Sequence, residues 1–156
     1  MSNQGVRGFY QVSETIKNQL LDDININTVT TGDITQINLR KQDIFPLGHI
    51  IINSVTIEEQ VLRFNITLLT MDIVNMQKQE TIDIFTGNTN EQDILNTQLG
   101  VINKVVQVLK RGTLYTNKYQ LDGDPSCEPF FDRFENELVG WSANMDIIIN
   151  NDITIC

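Results

Sequence analysis

At 156 residues, with 40% hydrophobic and 20% charged side chains, the chain has the size of one domain. A domain of this length buries roughly 68 to 70% of the surface its unfolded form exposes, enough for a core without metal or disulfide staples. With 1 His and 2 Cys, His-rich metal sites and disulfide frameworks are excluded. Lys and Arg number 11 against 20 Asp and Glu, a formal net charge of -9. That balance opposes tight nucleic-acid binding, which relies on Lys and Arg displacing phosphate counterions, and opposes docking on anionic membranes. It does not oppose nearness to DNA, since an acidic wall can surround a duplex and let it slide.

The polar start Met1-Ser2-Asn3-Gln4-Gly5 is unlike a secretory signal, and no segment approaches ~18 consecutive apolar residues. The expectation is a soluble product made in the cytoplasm, with residues 1–7 as a flexible lead into one domain spanning 1–156. Asn65-Ile66-Thr67 spells a glycosylation sequon but is read as strand sequence.

The first element is a helix from about Phe9 to Asp23, because Val12, Ile16 and Leu20 recur at i, i+4, i+8. From Val29 to Leu39 the pattern shortens to alternation through Ile34, Ile37 and Leu39, a strand entered through a turn at Gly32. Ile44-Phe45-Pro46-Leu47-Gly48 is read as an edge or a bend, since Pro46 lacks an N–H and drives Phe45 to extended geometry. His49 to Ile57 and Gln60 to Val74 form a hairpin; Leu62, Phe64, Ile66 and Leu68 take its buried face and Arg63, Asn65 and Thr67 its wet one.

Between Asn75 and Asn90 only Ile82, Ile84 and Phe85 hint at a short apolar element. The longest helix runs from near Glu91 to Gly112, with Leu95, Leu99, Ile102, Val105, Val106 and Leu109 as its stripe. Thr89 and Gln92 fit a capping box, Glu91 and Asp93 suit the positive end, and Lys110, Arg111 and Gly112 suit the C-terminus. A strand around Thr113 to Leu121 leads to a turn at Asp122-Gly123-Asp124-Pro125. A final strand carries Val139, Trp141, Ala143, Met145, Ile147 and Ile149 on one face. The sum is an α+β domain, an antiparallel or mixed sheet with two helices packed on one face. Leu99, Ile102, Val106, Trp141 and Phe64 are expected to share one core.

The chemistry-bearing residues each have a plain structural reading. Asp122-Gly123-Asp124 starts like a calcium loop, but Cys127 stands where that loop needs Gly and Arg133 where it needs a bidentate Glu. Cys127 or Cys156 with His49 lacks any spacing that marks a thiol and its base, so His49 is read as a strand-end histidine with an ordinary hydrogen bond. Glu128, Asp132, Glu135 and Glu137 are read as a solvated negative face, and Trp141 as core. No Walker A or GxGxxG run can be written. The residues therefore point to a binding or building role, with no catalytic residue, metal or cofactor assigned.

Four segments carry a resemblance: Ile44-Phe45-Pro46-Leu47-Gly48-His49-Ile50-Ile51-Ile52-Asn53, Met71-Asp72-Ile73-Val74, Asp93-Ile94-Leu95-Asn96-Thr97-Gln98-Leu99 and Asp132-Arg133-Phe134-Glu135-Asn136-Glu137-Leu138-Val139-Gly140-Trp141. They resemble small neck or tail proteins of tailed bacteriophages, of the marine and crAss-like type. The order of elements is similar to that of the tail terminator or tail-completion family. The resemblance implies a structural virion protein forming a ring homo-oligomer around the DNA channel at the head-tail junction or tail. Its neighbours would be portal, connector or tail proteins, and double-stranded DNA would pass without specific binding. In such a ring Lys104, Lys110 and Arg111 would meet acidic residues of the next subunit, Asp132 and Glu135 among them. The competing classes are a small ligand-binding protein or enzyme and a tail assembly chaperone absent from the virion.

Overall fold

The computed structural model describes residues 4–33, 44–74, 90–112, 114, 119–131 and 138–151. In chain order the elements are α1 (Gln4–Leu21), β1 (Thr28–Thr31), β2 (Leu47–Ile57), β3 (Val61–Ile73), α2 (Glu91–Arg111), β4 (Gln120–Phe131) and β5 (Leu138–Asn150). The strands form a five-stranded sheet in the order β1-β2-β3-β5-β4, with β1 parallel to β2 and the other neighbours antiparallel. Val12, Ile16 and Leu20 of α1 and Val101, Ile102, Val105, Val106 and Leu109 of α2 share one cluster with Phe64, Ile66 and Leu68 of β3 and Ala143, Met145, Ile147 and Ile149 of β5. Both helices thus cover the same sheet face, and the domain is α+β with a mixed sheet, as the sequence predicts.

The hairpin and the long helix fall close to their expected places. Helix α1 starts earlier than Phe9, at Gln4 within the segment expected to be a loose lead, and its backbone breaks at Arg7. The bend at Pro46 precedes β2, and the Pro46 carbonyl accepts the Asn27 and Thr28 N–H groups, tying the start of β1 to the start of β2. Of the strand expected over Val29 to Leu39, β1 realises the beginning; Ile34, Ile37 and Leu39 lie outside the described residues, as do Ile82, Ile84 and Phe85. The N-cap of α2 is Asn90, without a side-chain cap hydrogen bond; Thr89 lies outside the described residues. At the other end the Gly112 N–H donates to the Val108 carbonyl at 3.0 Å.

Three expectations need correction. Leu99 is not in the core: it is 38% exposed, and Gln98, 1% exposed, takes the buried position. The buried stripe of α2 runs Ile94, Gln98, Val101, Ile102, Val105, Val106 and Leu109, and one residue's 100° turn carries Leu99 to the flank facing β4. The Thr70 hydroxyl donates to the Gln98 carbonyl at 3.3 Å, locking this phase, and the Gln98 Oε1 is left without a hydrogen-bond partner.

Secondly, Asp122-Gly123-Asp124-Pro125 does not end a strand. Strand β4 runs through it as a bulge, with pairing that passes from Asp122↔Asp146 to Ser126↔Asn144 and leaves Gly123, Asp124 and Pro125 opposite Met145. Gly123, at φ 74, supplies the left-handed residue that a bulge and a turn both need. Thirdly, the face expected to be wet is wet over only part of its length. Beyond Leu68 consecutive residues are buried, because Leu69 and Met71 join Phe45, Leu47, Phe130 and Leu138 in a second cluster on the face away from the helices.

Among the described glycines, Gly140 lies tightest against neighbouring backbone. A Cβ placed there would fall 1.9 Å from the Thr70 carbonyl oxygen and 2.8 Å from the Met71 Cα. Phe130 sits opposite Gly140 in the β4–β5 ladder and is 3% exposed.

Candidate functional site

The face of the sheet opposite the helices is polar toward the hairpin tip. A β-bulge leaves Asn53 outside the β2–β3 register, and its Nδ2 donates to Asn65 Oδ1 at 2.9 Å and Thr67 Oγ1 at 2.7 Å. Asn65 Nδ2 in turn donates to Asn144 Oδ1 and Asp146 Oδ1 at 2.9 and 2.7 Å. The amides thus run as one hydrogen-bonded row across β2, β3 and β5. Beside them Arg63 pairs with Asp122 and, at 3.7 Å, with Glu58, so the first bulge aspartate is spent on an ion pair. The Asp122 partner raises the Arg63 pKa, which leaves that cation charged throughout.

The basic residues predicted for the interface lie on the outer side of α2, where Lys104, Lys110 and Arg111 are exposed. Lys110 already has a carboxylate within its own chain, Asp124 of the β4 bulge, which holds that carboxyl below its ordinary pKa. Asp132 and Glu135, predicted as their acidic counterparts, lie outside the described residues, as does Cys156.

His49 and Cys127 are not brought together. They stand on β2 and β4, separated by β3 and β5, a distance of roughly 14 Å at the usual strand spacing. Burial pushes the Cys127 thiol up, the opposite of what activates a nucleophile. His49 is buried, with Nδ1 2.7 Å from Thr30 Oγ1 and Nε2 2.7 Å from the Gly32 carbonyl, so the ring ties β1 to β2. With the carbonyl accepting from Nε2–H, Nδ1 accepts from the Thr30 hydroxyl, and both ring nitrogens are satisfied in the neutral form. Trp141 is half-buried against the main cluster and donates its indole N–H to the Leu95 carbonyl at 2.7 Å, a structural fixture between β5 and α2.

Burial pushes the His49 pKa below its ordinary 6.5, against smaller raising effects of Gly32 and Asp33. The unfolded chain therefore takes up a proton at a pH where the folded chain does not. His49 should remove stability as pH falls below 6.5 toward the lower folded-state value. Asp72, raised by burial, acts oppositely, adding stability as pH falls through its raised value toward 3.8. Urea midpoints measured on either side of pH 6.5 should show the His49 loss, and His49→Gln should abolish that step. An unchanged slope in the variant would assign the loss to other groups.

Two further features were not singled out by sequence reasoning. An open groove of about 520 Å3 lies between α2 and the β4 bulge, lined by Leu99, Gly100, Asn103, Val106, Pro125 and Cys127 among others. The tip of the β2–β3 hairpin is exposed from Asn53 to Gln60, with Val55 and Ile57 bare. The unbroken alternation through Val55 and Ile57 into Glu58-Glu59 was the available signal for the tip. The groove follows from the displacement of Leu99 out of the core. Among the described residues no group of three or more His, Cys, Asp or Glu is placed to hold a metal, and no helix is long and apolar enough to cross a membrane. No protein-family model matches the chain, and no curated protein matches it significantly.

Proposed function

We propose that the protein is a structural virion component that assembles as a ring of identical copies at the head-tail junction or tail of a tailed bacteriophage. The observation that carries this reading is the order of elements, a helix, a hairpin, a long helix across the sheet and closing strands, in a chain whose four quoted segments resemble neck and tail proteins. Identical subunits that meet through two different surfaces close into a ring when their rotation permits. The net charge of -9 supports a channel wall that lets DNA pass without adhesion, with portal, connector or tail proteins as axial neighbours.

The open groove beside α2 is the feature that favours the alternative of a ligand-binding protein. Two measurements separate the readings. Negative-stain images of the purified protein should show annular particles, and mass spectrometry of purified virions should find the chain in fixed stoichiometry with the tail. Absence from the virion overturns the proposal, and is the result a tail assembly chaperone would give.

A further inference from the structure

Gln98 is 1% exposed, yet its Oε1 meets no hydrogen-bond donor among the described residues, a costly state for a buried acceptor. The same residue lines an open cavity of about 250 Å3 between α2, the end of β3 and the segments carrying Asn25 and Pro46. We propose that this cavity binds a primary ammonium group on a short alkyl chain, with Gln98, Asp72 and Asp93 as its acceptors. The fold sets these side chains together. Phe64, Ile66, Leu68 and Thr70 alternate toward the helices, and Asp72 continues that alternation at the end of β3. Asp93, Ile94 and Gln98 fall on one side of the first turns of α2, and the Thr70–Gln98 hydrogen bond holds the helix to the strand at this level.

Charge and donor count choose the ligand. None of the described residues lining the cavity is basic, and neither carboxylate is paired with a cation among the described residues, so an anion is excluded. Asp72 Oδ1 accepts the Ile73 N–H at 2.8 Å, and burial holds the Asp72 carboxyl above its ordinary pKa, a penalty that a cation beside it would relieve. A metal ion is the poorer occupant. Calcium takes six to eight oxygens, whereas Asp72 and Asp93 are the only acids among the described lining residues. A primary ammonium brings three N–H donors, which match one buried amide oxygen, one half-buried carboxylate and one exposed carboxylate. Ile94 and the Pro46 ring supply an apolar wall for the alkyl stem, and the volume is below that of sites for drug-sized molecules. The site does not depend on the ring reading.

Calorimetric titration of the full-length protein with butylammonium chloride should show saturable one-to-one binding, while tetramethylammonium, which has the charge but no N–H, should not bind. Gln98→Leu and Asp72→Asn should each weaken butylammonium binding about tenfold or more. Asp93→Asn, at an exposed position that can change without unfolding the domain, should weaken it about threefold. Glu128→Gln removes the same charge from the exposed surface of β4 and should leave binding unchanged. Absence of saturable butylammonium binding overturns the proposal and leaves the cavity to water. Equal binding of tetramethylammonium, or equal loss in Asp93→Asn and Glu128→Gln, overturns it in favour of diffuse attraction to an acidic protein. Displacement of butylammonium by a lower concentration of calcium chloride overturns it in favour of a metal site. Nα-acetyl-lysine amide separates the sources of the ammonium: binding alongside butylammonium upholds a seat for a lysine side chain of another protein, and failure to bind where butylammonium does upholds a site for free amines.

Discussion

Gly140→Ala is expected to cost about 3 kcal/mol or more, at or beyond the upper end of what overpacking a filled interior usually costs. The reason is that the added methyl meets backbone: the Thr70 carbonyl oxygen at 1.9 Å and the Met71 Cα at 2.8 Å, in the central β3–β5 ladder where neither strand can retreat alone. Separating the strands at that point would also loosen Phe130, buried against the same glycine, and the Thr70 contact that sets the phase of α2. Gly100→Ala is the control, since a methyl there meets nothing within 4 Å and alanine favours a helix by ~1 kcal/mol. Urea melts of the two variants should move in opposite directions. A Gly140→Ala loss below about 1 kcal/mol would mean that the strands are not this close.

Phe64→Ala should cost about 3–5 kcal/mol, the range for emptying a fully packed aromatic site. Phe64 is 2% exposed, lies between the two helices and the sheet, and belongs to the main cluster with residues of α1, α2 and β5. Leu99→Ala, made on a side chain already 38% exposed, should stay within about 1 kcal/mol. The contrast between the two checks the rotation of α2: comparable large losses at both sites would put Leu99 back in the core.

That rotation shows where sequence reading runs out. Residues Leu95, Leu99, Ile102 and Val106 and residues Ile94, Gln98, Val101 and Val105 both repeat at helical spacing, so α2 carries two overlapping stripes. Hydrophobicity favours the one with Leu99; contact with Thr70 and the sheet turns Ile94, Gln98 and Val101 inward in its place, while Ile102 and Val106 stay buried. The ends of α2 were legible because charge and Gly112 act locally, and β5 was legible because its alternation extends over the whole strand. The β4 bulge was not, since Asp-Gly-Asp-Pro satisfies a chain reversal and a bulge through the same left-handed glycine, and only the register to β5 tells them apart. The second cluster was hidden for a related reason: a strand buried on both faces loses the alternation by which strands are recognised. At the candidate site the sequence marked the exposed cations of α2 but not the groove beside that helix, because the groove opens only where Leu99 turns out of the core toward β4.

The β3–β5 ladder, the longest in the sheet, has a consequence for how the domain forms. The two strands pair from Val61↔Asn150 to Ile73↔Leu138, yet the whole of α2 and β4 lies between them in sequence. The β2–β3 hairpin closes a short loop and can form early, whereas β5 must return across a long one before its contacts repay the lost chain entropy. Until it does, β3 offers a free edge and the buried side chains Phe64, Ile66 and Leu68 have no β5 partners. A nascent chain that has not yet released β5 from the ribosome therefore remains without the centre of its sheet, and folding of the domain waits on that last strand.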